Sequence, residues 1–159
     1  MAATTDPNTS QGKEGIDTSN TSQTHNLPDK EDVDVIDKTL LDKKSEYEKA
    51  IEIREQLPKD NPENQNELAT AYYNLEVLQI EHLGDYDSAK SNYEKAIAIR
   101  EQLPKDNPEY QNALARVYNN LADLQEEHLN DYNSAKSNFA TAITIREQLP
   151  KDNPEYQYI

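Results

Sequence analysis

One self-similarity governs this chain. YEKAIEIREQLPKDNPE begins at Tyr47, YEKAIAIREQLPKDNPE at Tyr93 and FATAITIREQLPKDNPE at Phe139, a spacing of 46 residues. Between 47–92 and 93–138 only 11 of 46 positions differ. A fixed period of roughly 20–50 residues marks a solenoid, whose units bury their apolar faces against their neighbours in the array.

Each unit reads as two helices. Pro62 and Pro108 follow Asp-Asn, an N-cap with proline in the first helical position. A first helix, A, is predicted from about Glu63 to Leu83 and again from about Glu109 to Leu129. Its face is formed by Leu68, Tyr72, Leu75, Gln79 and Leu83, spaced by three or four. Gly84-Asp85 and Asn130-Asp131 supply the stop and the next cap. A second helix, B, is predicted from about Tyr86 to Gln102, with Ala89, Tyr93, Ala96, Ile97 and Arg100 on one stripe. Leu-Pro ends it, because the residue before proline is pushed out of the helical region. From Tyr47 onward the segment Val33–Leu57 matches a B helix, while 38–46 match the later copies poorly. The predicted order is B-A-B-A-B, with the start of a further A at 155–159.

Residues 1–30 contain almost no apolar residue and show no period, so they are expected to be a disordered polar tail preceding a helical domain over 31–159. Asn8 and Asn20 head Asn-Thr-Ser sequons, which chance explains in a segment so rich in Ser, Thr and Asn. The whole chain carries a formal charge of −15. That charge argues against nucleic acid and against an anionic membrane surface, both of which need clustered Lys and Arg. It favours a protein partner that is basic or neutral over an acidic one. With no cysteine there is no disulfide or thiolate site, and the first residues show no secretory pattern. Nor is any apolar run near the ~20 residues that span a bilayer. A cytoplasmic protein is expected.

The pattern resembles the tetratricopeptide repeat over about residues 35–159. Tyr118, Leu121 and Ala122 fit that family's helix A; Ala135, Phe139 and Ala142 fit its helix B. Tyr72 and Leu75, with Ala89, Tyr93 and Ala96, fit in the other copy, and Asp85-Tyr86 and Asp131-Tyr132 match its turn. The long period is similar to the extended repeats of kinesin light chains and their bacterial relatives. There are departures: Glu76 replaces a small residue, implying looser packing, and Gln79 and Gln125 replace an aromatic. The Tyr72–Ala89 spacing is one residue longer than the family's, implying a bulge in helix A. The resemblance implies an all-α, right-handed superhelix of antiparallel helix pairs that acts as a non-enzymatic protein-binding scaffold.

Differences between the copies concentrate on helix A: Glu67/Ala113, Thr70/Arg116, Ala71/Val117, Tyr73/Asn119, Glu76/Ala122, Val77/Asp123 and Ile80/Glu126. Most step by three or four and define one face, expected to be exposed. In the family, helix A lines a concave groove for peptides or partner helices. The implied groove residues are Thr70, Tyr73, Asn74, Val77, Arg116, Asn119, Asn120 and Asp123, with Asn74 and Asn120 offering amides to a peptide backbone. Drift of an exposed face after duplication is the competing explanation of the stripe.

No catalytic, metal or cofactor site is expected. His82 and His128 lack a second ligand at helical spacing and read as residues near a helix C-terminus. Arg54, Arg100 and Arg146 recur beside Glu55, Glu101 and Glu147, which suggests pairing between repeats. Three glycines form no phosphate loop. The alternative function is a self-assembly module joining through repeat ends at Phe139, Ile143 and Ile145, with Tyr156, Tyr158 and Ile159 as a cap or contact; a fragment of a longer array is the third possibility.

Overall fold

A computed structural model describes residues 30–156, with side chains from residue 38. Residues 1–29 of the predicted tail, and Tyr158 and Ile159, lie outside the described residues. Five helices follow one another: α1 (Lys30–Glu55), α2 (Pro62–Leu78), α3 (Tyr86–Arg100), α4 (Pro108–Glu127) and α5 (Tyr132–Glu147). They are the B, A, B, A and B helices of the repeat, and no strand occurs among the described residues. A short 3-10 turn, Pro154–Tyr156, follows.

The punctuation repeats with the sequence. Asn61 Oδ1 accepts from the Glu63 amide at 2.9 Å, and Asn107 Oδ1 from the Glu109 amide at 2.9 Å. Proline then occupies the first turn of α2 and α4, where its missing N–H costs nothing. Asp85 and Asp131 accept from the Ser88 and Ser134 amides to start α3 and α5. Helix A does not finish as an α-helix in the first copy. Gln79–Leu83 is a single π turn, a bulge of the kind expected for helix A, although Tyr118–Ala135 has the same spacing and α4 stays α-helical to Glu127. In both copies the amide six residues on closes the end: Asp85 bonds to the Gln79 carbonyl, Asp131 to that of Gln125. Gly84 (φ 61°) and Asn130 (φ 54°) supply the left-handed residue that this closure requires.

Each helix packs principally on its neighbours in the chain. The pairing of α2 and α3 is antiparallel, since Asn66 and Thr70 near the start of α2 meet Arg100 at the end of α3. The other ends meet where Asn92 Nδ2 donates to Gln79 Oε1 at 2.8 Å. One continuous core results, with Leu68, Tyr72 and Leu75 of α2, Ala89, Tyr93, Ala96 and Ile97 of α3, and Leu114, Val117, Leu121 and Leu124 of α4.

Two expectations are corrected here. The variable stripe at 67, 70, 73, 77, 80 and 84 and its counterpart one repeat later carry no buried residue, whereas the changes beside it, Ala71/Val117 and Glu76/Ala122, are buried. Helix A is wedged between two B helices, so its buried arc is wider than one stripe. Packing around Glu76 is not loose, because its side chain is enclosed with 1% of its surface exposed. Arg100 does not pair with a glutamate. It donates to Thr70 Oγ1 at 3.0 Å, while Glu55 and Glu101 accept from the Tyr72 and Tyr118 hydroxyls at 2.6 Å. The Gln that replaces the family's aromatic is explained by the buried Asn92–Gln79 bond, repeated by Asn138 Nδ2 and Gln125 Oε1 at 2.8 Å.

Candidate partner-binding groove

Helices α2 and α4 bring several of the sequence-predicted residues to one cleft. Tyr73, Glu76, Val77 and Ile80 enter from α2 and its π turn, Tyr93 from α3, and Asn120, Asp123 and Glu127 from α4; the cleft measures about 260 Å³. Asn120 Nδ2 donates to the Tyr73 hydroxyl at 3.0 Å across the two A helices. The Arg116 guanidinium lies over the Tyr73 ring at 5.3 Å, and the Tyr73 and Tyr93 rings are 6.3 Å apart at a tilt of 59°. Asn119 Nδ2 donates to Asp123 Oδ2 at 3.0 Å.

Two predicted residues stand apart. Thr70 is occupied as the acceptor for Arg100, and Asn74 is exposed and does not line the cleft. Asn120 is half-buried, so its amide already serves Tyr73 before any peptide arrives. His128, treated in the sequence as a helix-end residue, stacks on the Tyr86 ring at 4.2 Å and closes one side of the cleft. His82 is exposed beside Glu81.

The cleft floor was not anticipated. Glu76 is buried under it, and burial pushes its carboxyl up from 4.5 to about 7, with Glu81 adding repulsion and the Tyr93 hydroxyl opposing both by hydrogen bonding. Its Oε2 has no hydrogen-bond partner. Tyr93 is pushed well above the ordinary phenol range, first by burial and then by Glu76. Asp123 is also raised, by burial and by the charges of Glu127 and Glu126, against the Asn119 bond. A signal for this floor exists in the sequence. Where the first copy pairs Glu76 with Tyr93, the second has Ala122 with Phe139: the carboxylate and the hydroxyl that serves it are absent together.

Opposite in sign is the neighbourhood of Arg116. Burial and then the Arg116 charge lower the Arg100 guanidinium to about 10, and the same two causes lower Arg146. Arg146 occupies the position of Arg100 one repeat later, where Arg116 has replaced the accepting threonine. Accordingly, its Nε and Nη1 are without hydrogen-bond partners.

A family model described as tetratricopeptide repeat matches residues 67–148, more than half of the chain. The chain belongs to the tetratricopeptide repeat family. Repeats of this family mediate protein–protein interaction, and the family is one of non-catalytic scaffolds. Neither a curated protein nor a solved structure matches the chain significantly. Among the described residues no helix is long and apolar enough to cross a membrane, and no three His, Asp or Glu side chains are grouped to hold a metal ion.

Proposed function

We propose that this tetratricopeptide array is a scaffold whose partner, a basic or neutral peptide or helix, lies along the groove formed by α2 and α4. The observation that carries this reading is the convergence of Tyr73, Val77, Asn120 and Asp123 from two repeats on one cleft between the A helices. Asn74 and Asn119 extend the polar edge available to a peptide backbone, and Arg116 marks the far side of Tyr73. The chain's charge of −15 steers basic partners toward it, and the absence of cysteine suits a cytoplasmic setting. Peptides selected from a displayed random-sequence library serve as the assay ligand. Asn119→Ala with Asn120→Ala is expected to weaken their binding by roughly tenfold, about 1.4 kcal/mol. Unchanged affinity in that variant refutes the groove.

A second reading is favoured by α5. Its Phe139 is only half-buried and Ile143 is 45% exposed, whereas Tyr93 and Ile97 at the equivalent positions of α3 are buried. An uncovered face of this kind supports self-association through α5. Light scattering across a concentration series separates the two, since a mass that stays at one chain removes the assembly reading.

A further inference from the structure

The buried carboxylate under the groove has a chemistry that the fold does not need. In the second repeat Ala122 and Phe139 occupy the positions of Glu76 and Tyr93, and α4 and α5 pack with Ala122 fully buried. An ionisable group that departs from the packing rule at one repeat only, beneath a cleft, is placed where function rather than folding explains it. The Glu76 side chain is 99% enclosed, yet one oxygen is left without a partner, and no lysine, arginine or histidine forms an ion pair with it among the described residues. A carboxylate so enclosed is stable only when protonated or when a cation reaches it.

The surroundings suit a cation. Tyr73 and Tyr93 offer aromatic walls, and Glu81, Asp123 and Glu127 add three further carboxylates at the sides of the cleft. Aromatic faces and carboxylates together are the chemistry that receives an alkylammonium on an apolar stem. Val77, Ile80 and Leu124 supply apolar contact for that stem. The volume of about 260 Å³ lies at the lower edge of ligand pockets, which begin at about 300 Å³, and so fits one side chain and not a drug-sized molecule.

We propose that the cleft between α2 and α4 is a receptor for a single lysine side chain of the partner, with Glu76 as its buried counter-charge and Tyr73 and Tyr93 as its walls. This rests on the groove reading above and names the one partner residue that the groove selects. Insertion requires side chains lining the cleft to move aside, because Oε2 is buried.

The test needs no natural partner. The full chain is titrated with Nα-acetyl-lysine N-methylamide and with its norleucine analogue, which keeps the stem and lacks the charge, while amide NMR signals of Tyr73, Val77, Tyr93 and Asn120 are followed. The lysine probe is expected to shift these signals saturably and to bind roughly tenfold or more tightly than norleucine. Glu76→Gln, and separately Glu76→Ala with Tyr93→Phe, are expected to abolish that preference. The second variant installs the residue pair with which the other repeat already folds, so loss of binding there is not loss of structure. Equal binding of the two probes, no binding of the lysine probe, or an undiminished preference in both variants overturns the proposal. Library-selected peptides that still need Asn119 and Asn120 but contain no lysine would overturn the receptor alone and leave the groove standing.

Discussion

Replacing Glu76 by glutamine isolates the energetic consequence of the buried carboxyl. In the unfolded chain this group titrates near 4.5; in the fold burial raises it to about 7. Below 4.5 both states hold the proton and the group has no pH-linked effect. Between the two values the folded state binds the proton more tightly, so stability falls as pH rises. Above 7 the carboxyl is ionised in both states and the full penalty is present, about 3 kcal/mol at about 1.4 kcal/mol per tenfold change in proton affinity. Glutamine fills nearly the same volume and does not titrate. The difference in unfolding free energy between Glu76→Gln and wild type is therefore expected to rise by about 3 kcal/mol between about pH 4.5 and about pH 8. Carboxyls remote from Glu76 are common to both proteins and cancel in that difference, which leaves Glu76 and its coupling to Glu81. Urea unfolding followed by far-ultraviolet circular dichroism at several pH values measures it. A difference that stays flat with pH would show that Glu76 is not desolvated in the fold, and the reasoning about the cleft floor would fail with it.

Three further perturbations test the surrounding structure. Arg116→Thr gives Arg146 the acceptor that Thr70 gives Arg100; gaining a bond to a charged donor and losing the stacking on Tyr73 should leave a net stabilisation of about 1 kcal/mol, read as a raised Tm. Asn92→Ala strands the side-chain Oε1 of Gln79 in the core and should cost about 1–3 kcal/mol in denaturant unfolding, with Asn138→Ala costing less because Asn138 is only half-buried. Gly84→Ala meets no atom within 4 Å, so its cost comes from the positive φ alone and should be about 1 kcal/mol in the same assay.

How much of this was legible beforehand depends on the distance over which each feature is specified. The caps at Asn61 and Asn107, the left-handed residues at Gly84 and Asn130 and the stripe of the B helices are local, and each is readable within a few residues. The partners of Arg100 lie 30 and 34 residues earlier, so recurrence marked the arginine as structural but pointed to the wrong acceptor. The burial of Glu76 was hidden for a different reason. A helix in a solenoid is covered on two sides, and a stripe drawn from one face misses the second. The joint change to Ala122 and Phe139 does carry that information, but only once Glu76 and Tyr93 are known to meet.

The central claim is that partners lie along α2 and α4. Amide NMR mapping of a library-selected peptide on the full chain tests it most directly. The account predicts shifts concentrated at Tyr73, Val77, Asn119, Asn120 and Asp123, with the outer faces of α1, α3 and α5 unmoved. Shifts confined to α5, or spread over the outer faces of the B helices, would contradict it.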